Sequence, residues 1–241
     1  MTDTPPSAGP PDPRLVEDLV AANRILADQG VFDAYGHVSV RHDRDPARYL
    51  MSRSLAPELV TAGDVIEYDL DSAPVDAGGR SLYLERFIHG EIYKARPDVT
   101  AVVHHHSPSV IPFSVSDVPL RPVYHMAAFL GEGAPVWEIG KFGATDLLVR
   151  NALLGRGLAQ TLGAHPVALM RGHGAVVVGP TLRHAVARSV YAEMNARLQR
   201  QAVALGTVTY LTPEEARLAE ASVSATYGRP WELWRKRALA R

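Results

Sequence analysis

The sequence of 241 residues contains no cysteine. Disulfide bonds, thiolate nucleophiles and cysteine-ligated metal centres are therefore excluded, and a bound metal ion would need nitrogen and oxygen ligands. The sequence also has no apolar run approaching the roughly 20 residues that cross a bilayer. Neither charge is in excess, since 25 Lys and Arg residues stand against 26 Asp and Glu residues. We therefore expect neither a nucleic-acid partner nor a membrane partner.

The first residues also lack the features of a signal peptide. Residues 1–13 have no charged region followed by an apolar core, and they are rich in Pro, Ser, Thr and Gly. This composition predicts a disordered leader over 1–13, followed by one domain over 14–241 without repeats or an interdomain linker. With 46% apolar and 21% charged residues, the domain has the composition of an ordinary globular protein, and we expect it to be cytoplasmic.

Short β-branched runs alternate with segments of helical periodicity along the chain. This alternation predicts a single α/β domain. The predicted strands begin near residues 38, 49, 65, 99, 167 and 175. The principal predicted helices cover residues 13–30, 85–95, 145–162 and 182–205.

A histidine cluster ends the fourth predicted strand. The run from Val99 continues into His104, His105, His106 and Ser107. Side chains alternate between the two faces of a strand, so His104 and His106 point the same way and His105 points the other way. Two imidazoles on one face, separated by one residue, have the spacing of a pair of ligands to a single metal ion.

A third candidate ligand is His173, which Gly172 and Gly174 flank at the edge of another apolar strand. Three histidines with an open coordination position are typical of a catalytic metal site rather than a closed structural one. For His42, His165 and His184 the same spacing is absent, so we expect surface or hydrogen-bonded roles for these residues.

Glu85 stands at the start of the predicted helix that precedes the histidine strand. It shares a helix face with His89, four residues later. A carboxylate beside a metal acts as ligand, proton donor or base, whereas a solvated Glu at this position complements the helix dipole. Position alone favours the second interpretation, and for His89 it favours a packing or supporting role.

The order of these motifs resembles that of a known family. Glu85-Arg-Phe-x-His, then Ala101-Val-Val-His-His-His-Ser, then Gly172-His-Gly are similar to the motifs of the class II aldolase/adducin family, and the resemblance extends from about Leu15 to Leu205. It implies a single-domain three-layer α/β/α fold with a mainly antiparallel central sheet.

The resemblance also implies a site and an assembly. His104, His106 and His173 would bind one divalent metal ion per subunit (zinc or manganese, with iron or cobalt less expected), and Glu85 would be the catalytic acid and base. The family implies a homotetramer with active sites at subunit interfaces. Tyr124 or His125 would then complete a neighbour's site as a proton donor, and the alternative is a packed loop aromatic.

The chain departs from the sugar-phosphate members of the family at their phosphate-binding pairs. Gly36-His37, Ser54-Leu55 and Tyr83-Leu84 stand at those positions, so most of the small polar donors that a phosphate needs are missing. We therefore expect an unphosphorylated carboxylate as substrate. An arginine can bind a carboxylate through two hydrogen bonds, and a tyrosine can stack on a flat ring. The predicted substrate-binding residues are His37, Ser52, Arg53, Ser54, Tyr83 and Arg86. For Arg86 the alternative is a structural ion pair.

Four stretches, Tyr35–Arg41, Met51–Glu58, Leu120–Met126 and Met170–Gly174, are similar to a branch of the family typified by 3-hydroxy-2-methylpyridine-4,5-dicarboxylate decarboxylase. They predict a metal-dependent carbon–carbon lyase, a decarboxylase of a hydroxylated aromatic or heteroaromatic mono- or dicarboxylate. The alternatives are an aldolase acting on an unphosphorylated hydroxy-carbonyl compound, an iron-dependent oxygenase, and a non-catalytic scaffold like adducin. Adducin-like domains lose the metal histidines, whereas this chain keeps all three.

Overall fold

A computed structural model describes residues 5–240 of the chain. The described strands are β1 (His37–Arg41), β2 (Arg48–Ser52), β3 (Val65–Asp69), β4 (Ala101–His105), β5 (Val136–Trp137), β6 (Val167–Met170) and β7 (Gly174–Gly179). The described α-helices are α1 (Pro13–Asp28), α2 (Phe87–Ala95), α3 (Ile111–Ser114), α4 (Ala152–Leu162), α5 (Leu182–Leu205), α6 (Pro213–Ser224) and α7 (Gly228–Leu239). Short 3₁₀ turns connect several of these elements.

The strands form one sheet in the order β3-β2-β1-β4-β7-β6-β5. Every neighbouring pair is antiparallel except β5 and β6, which are parallel. His37 pairs with His104 across β1 and β4, and His105 pairs with Ala175 across β4 and β7. The histidine strand is therefore central in the sheet, with its last residues beside the first residue of β1.

Helices cover both faces of this sheet. Alternation along β4 divides the core, because Val103 packs with α1, α5 and α7 on one face and Val102 packs with α2 and α4 on the other. The predicted three-layer α/β/α fold with a mainly antiparallel sheet is confirmed. In the part of the chain that the structure describes, no helix is long and apolar enough to span a bilayer.

The N-terminal segment differs from the predicted disordered leader. Residues 1–4 lie outside the described residues, but the next residues run along the sheet edge. Arg48 donates hydrogen bonds to the Pro6 carbonyl, and Ser7 donates to the Glu67 carboxylate at 2.7 Å. The composition signalled disorder because the segment has no core-forming side chains, yet its backbone and hydroxyl groups find partners on β2 and β3.

The predicted helix over 145–162 begins later, at Ala152. Asn151 caps α4 by accepting a hydrogen bond from the Leu154 N–H, and Leu147 has a φ of 71°, which interrupts a helical path. The apolar spacing at 147 and 148 was mistaken for helical periodicity. Residues 145–151 instead form a loop that contacts Glu85 and His173.

Candidate active site

The end of β4 brings two histidines to one face of the sheet. His104 belongs to β4 and His106 immediately follows it, and their Nε2 atoms lie 3.0 Å apart. His105 points to the opposite face. The pairing predicted from strand alternation is confirmed by this geometry.

His173 reaches the same point from the turn between β6 and β7. Its Nε2 lies 3.1 Å from that of His106. The flanking glycines permit this tight turn: Gly172 has a φ of 66°, and a Cβ on Gly174 would lie 2.2 Å from the His105 carbonyl oxygen. A side chain at 174 would therefore force β7 away from the histidine strand.

Glu85 completes the group from a 3₁₀ turn just before α2. Its Oε2 lies 3.5 Å from Nε2 of both His104 and His173. Its Oε1 accepts a hydrogen bond of 2.9 Å from the Val149 N–H. The side chain is 7% exposed, so Glu85 is not the solvated residue at a helix start that its position suggested.

Backbone carbonyls orient two of the histidine rings. The Nδ1 of His104 lies 3.1 Å from the Ala175 carbonyl oxygen, and the Nδ1 of His173 lies 2.9 Å from that of Leu147. A ring that donates its Nδ1–H in this way presents the Nε2 lone pair to the centre of the cluster, which is the usual support for a metal-ligating histidine.

The four side chains fit a divalent metal ion. The ligand atoms of Glu85, His104, His106 and His173 all lie within 4.8 Å of one another. Nitrogen ligands about 2.0–2.1 Å from a metal, at angles of about 90–109°, stand about 2.8–3.4 Å apart, and the histidine Nε2 contacts of 3.0 and 3.1 Å fall in that range. Three imidazoles and one carboxylate suit zinc, manganese, iron or cobalt.

The electrostatics of the cluster favour the protonation states that metal binding needs. Burial, followed by the charges of His104 and His173, lowers the pKa of His106 to about 4, so its imidazole is neutral at pH 7. Burial raises the pKa of Glu85, but the adjacent His104 and His173 lower it by more, so that this pKa lies well below its usual value. Glu85 is therefore an ionised carboxylate.

A cavity of about 470 Å³ opens onto this cluster, with Glu85 and His106 in its wall. His37, Ser54 and Tyr83, three of the predicted substrate-binding residues, also line it. The rest of the wall is mostly apolar. This part of the wall consists of Ala34, Tyr35, Leu55, Ala56, Leu84 and Leu148. Within the described residues, no arginine or lysine lines this cavity.

A larger cleft of about 730 Å³ lies elsewhere, between the N-terminal segment and β3. Pro10, Pro11 and Val65 are among its lining residues, and none of the four clustered side chains reaches it. We therefore assign the candidate chemistry to the smaller cavity.

The structure does not bring Ser52, Arg53 and Arg86 to the cavity wall. Arg53 donates from Nε to Asp64 at 2.6 Å. Arg86 donates to the backbone carbonyls of Ser72 and Tyr83, and Ser52 is fully buried in β2. Both guanidinium groups thus have internal partners, and their predicted role in binding a second carboxylate stays a prediction.

Tyr124 and His125 lie apart from the cluster. They stand at the start of a 3₁₀ helix that packs beside α5, where the Val123 N–H donates to Asn195 at 3.0 Å. Neither residue lines the 470 Å³ cavity of its own chain. Their role in a neighbouring subunit stays a prediction.

Sequence reasoning missed two parts of the site. The loop 145–151 contributes backbone atoms, which leave no side-chain signature. A buried hydrogen-bonded chain also runs from His37 through His89 and Ser39 to Tyr93. Two regular spacings carried a signal for it: His37 and Ser39 are two apart on a strand, and His89 and Tyr93 are four apart on a helix.

Comparison with known proteins agrees with this geometry. Residues 17–200 match the family described as Class II Aldolase and Adducin N-terminal domain. The decarboxylase tropJ of Talaromyces stipitatus is 36% identical over 91% of this chain and 92% of its own length. The 3,4-dihydroxyphthalate decarboxylase of a Terrabacter species is 32% identical over 84% of this chain and 85% of its own length.

Among solved structures, an L-fuculose 1-phosphate aldolase from Glaciozyma antarctica superposes with a TM-score of 0.77 at 24% identity. The match covers 95% of this chain and 94% of that one, and it shows the shared fold. The expected family and its decarboxylase relatives are both confirmed, and the chain belongs to the class II aldolase and adducin N-terminal domain family.

Proposed function

We propose that this protein is a divalent-metal-dependent carbon–carbon lyase that decarboxylates a hydroxylated aromatic or heteroaromatic carboxylate. One observation carries the proposal: Glu85, His104, His106 and His173 converge at the wall of a cavity that otherwise offers aromatic, imidazole and apolar surface. The named decarboxylases among its relatives support the same reaction class.

The cavity suits a flat ring better than a sugar phosphate. The rings of His37 and Tyr83 stand 4.6 Å apart in a tilted arrangement at its wall, and aromatic faces stabilise a bound ring by offset or edge contacts. A phosphate needs several N–H and O–H donors. Leu55 and Leu84, at two of the positions where the family resemblance places such donors, line the cavity with apolar side chains.

A divalent ion held by Glu85, His104, His106 and His173 would supply Lewis acidity, which would draw electron density from an ortho-hydroxy carboxylate in the cavity. The ionised Glu85 takes the proton of the ring hydroxyl. Glu85 then delivers this proton to the ring carbon that carries the carboxylate, which leaves the ring oxygen as a carbonyl. As the bond between that carbon and the carboxylate breaks, carbon dioxide leaves and the electron pair restores the aromatic ring with a negative charge on the oxygen. Solvent then returns the hydroxyl proton.

An aldolase reaction on an unphosphorylated hydroxy-carbonyl compound is the second candidate. The fold shared with L-fuculose 1-phosphate aldolase favours it, and aldol cleavage uses the same acid, base and electron sink. The two reactions differ in product, because only decarboxylation releases carbon dioxide. The scaffold alternative receives no support from a chain that retains the full set of ligands.

The deciding experiment reloads the purified protein separately with manganese, zinc and iron(II) and supplies ortho-hydroxy aromatic mono- and dicarboxylates. Metal-dependent release of carbon dioxide, absent from an EDTA-treated sample and from His106→Ala, is the expected result. Release of an aldehyde without carbon dioxide from hydroxy-carbonyl compounds would favour the aldolase. Oxygen consumption during turnover would favour an oxygenase.

The proposal includes a cytoplasmic homotetramer with active sites at subunit interfaces. Tyr35 and Leu84 at the cavity wall are 69% and 53% exposed in the single chain, and exposed apolar surface beside a site is typical of an interface. Light scattering is expected to give four times the mass of one 26.2 kDa chain. A monomer would remove the proposed contribution of Tyr124 or His125 from a neighbour.

A further inference from the structure

We propose that Tyr93, Ser39 and His89 are positioning residues that hold His37 as a hydrogen-bond acceptor for a hydroxyl group of the substrate. The inference rests on the proposed function in one respect, namely that the 470 Å³ cavity is the substrate site. It adds a specificity determinant that is separate from the metal ligands.

A continuous chain of hydrogen bonds connects the four side chains. The His37 Nδ1 lies 2.6 Å from His89 Nε2. The His89 Nδ1 lies 2.6 Å from Ser39 Oγ, which lies 2.8 Å from the Tyr93 hydroxyl. Strand β1 supplies the first and third groups, and helix α2 supplies the other two.

The four hydrogen-bonded side chains are almost fully buried. The exposed fractions are 3% for His37, 0% for Ser39 and His89, and 1% for Tyr93. Buried polar groups without partners are costly. Each of the three links between these side chains must therefore hold one proton, so that one atom of the link donates and the other accepts.

The far end of the chain sets the direction of that distribution. The Tyr93 hydroxyl donates to the Thr100 carbonyl oxygen at 3.4 Å, and a carbonyl oxygen only accepts. With the Tyr93 proton committed there, Ser39 donates to Tyr93 and His89 donates from Nδ1 to Ser39. His89 Nε2 is then an acceptor, and it receives the Nδ1–H of His37.

This arrangement leaves His37 Nε2 with a lone pair. His37 lines the cavity between Tyr83 and His104, whose ring centroids lie 4.6 and 5.0 Å from its own. Because Nδ1 is occupied, Nε2 is the nitrogen left for a ligand.

A neutral acceptor selects among oxygen groups. It binds a hydroxyl group, which has a proton to donate, and it gives nothing to a carboxylate or an ether oxygen, which have none. The site would therefore recognise the carboxylate and its ortho hydroxyl at the metal cluster and a further ring hydroxyl at His37.

Binding of matched compounds to the metal-loaded protein tests the inference without requiring turnover. The probes are 2,3- and 2,4-dihydroxybenzoate, each compared by calorimetry with the counterpart whose second hydroxyl is a methoxy group. The wild-type protein is expected to prefer one hydroxyl compound over its methoxy counterpart by about 2- to 13-fold, the worth of one hydrogen bond. Equal affinity for both pairs would overturn the inference.

The variants separate positioning from folding. Tyr93→Phe and Ser39→Ala are expected to reduce the hydroxyl preference toward one, while Tyr49→Phe keeps it. Tyr49 is the matched control, because its hydroxyl is equally buried and donates to Ser72 outside the chain. In a His37→Ala background, Tyr93→Phe should change the preference no further. A preference that survives Tyr93→Phe and Ser39→Ala would overturn the positioning role.

Nitrogen-15 NMR of the histidines gives a readout that does not depend on any ligand. The His37 signals are expected to show a protonated Nδ1 and an unprotonated Nε2, and Tyr93→Phe is expected to shift them. A proton on Nε2 would overturn the inference. If these results hold while no compound releases carbon dioxide, the proposed reaction fails and the acceptor role of His37 stands.

Discussion

The two faces of the central sheet use neighbouring histidines in opposite ways. His104 faces α2 and α4, where its Nε2 meets those of His106 and His173. His105 faces α1 and α5, where its Nδ1 accepts from the Ser107 N–H at 3.3 Å and its Nε2 has no hydrogen-bond partner among residues 5–240. Two adjacent residues therefore differ in role: His104 has the geometry of a metal ligand, and His105 is a packed core histidine.

The difference shows where this fold concentrates polar groups. The face of α2 and α4 carries the four candidate metal-binding side chains and the hydrogen-bonded series from His37 to Tyr93. The face of α1, α5 and α7 holds a large apolar cluster. Buried polar side chains are stable only where partners are available. The face of α2 and α4 therefore combines a hydrogen-bonded network around the candidate site with an apolar cluster of its own, and both faces stabilise the domain.

The largest expected effect comes from removing a ligand on the polar face. His104→Ala is expected to abolish stoichiometric metal binding and to lower the decarboxylation rate by at least about 1000-fold, because an incomplete donor set no longer holds the ion. Elemental analysis and circular dichroism check the two parts. A folded variant that retained one metal ion per chain would contradict the assignment of His104.

Glu85→Gln is expected to lower kcat by about 100- to 10,000-fold, the range for loss of a general acid or base. The amide oxygen of Gln can still accept from the Val149 N–H, so the loop is expected to stay in place. Metal content and kcat measured on the same sample separate the roles. Loss of the metal with the activity would make Glu85 primarily a ligand.

His105→Ala sharpens the comparison from the other face. Truncation of this fully buried ring is expected to cost about 2–4 kcal/mol of unfolding free energy, as for other large-to-small core changes. Metal content is expected to remain one ion per chain. Urea unfolding and elemental analysis provide the measurements, and metal loss without unfolding would show that both faces support the site.

Arg53→Ala is expected to change KM by less than about threefold, since its guanidinium is partly exposed and engaged with Asp64. Steady-state kinetics on mono- and dicarboxylates checks this expectation. A selective rise in KM for dicarboxylates, with monocarboxylates unaffected, would restore the carboxylate-binding role that the sequence suggested.

The smallest effect concerns a polar residue of the apolar face. Burial raises the pKa of Glu193, so the folded state disfavours its ionised form. The loss of unfolding free energy that this causes is absent below the pKa of Glu193 in the unfolded state. It is fully present once the pH exceeds the pKa of Glu193 in the folded state. Glu193→Gln is therefore expected to raise Tm by about 1–3 °C at pH 7 and to change little near pH 4. Thermal unfolding at both pH values is the check.

Most of the candidate metal-binding side chains could be predicted because the sequence patterns that mark them are local. Strand alternation paired His104 with His106, and two glycines marked His173. Glu85 needed the family resemblance, since its burial depends on the loop 145–151. The fold class followed from periodicity, but its layers and antiparallel sheet also came from the resemblance.

The errors arose where partners are distant in sequence. Arg53 and Arg86 suited a carboxylate by residue type, yet Asp64 and the Ser72 carbonyl engage them. The segment 6–12 has the composition of a disordered leader, yet Arg48 and Glu67 bind it. Local composition does not report these long-range contacts.

Main-chain atoms hold three of the four clustered side chains: the carbonyls of Leu147 and Ala175 and the N–H of Val149. Every residue type except proline offers both groups, so these hydrogen bonds survive any substitution that leaves the backbone path unchanged. What limits substitution is the burial of the side chains at 149 and 175 and the positive φ at Leu147. Selection can rebuild the cavity wall for a new ring without redesigning the ligands.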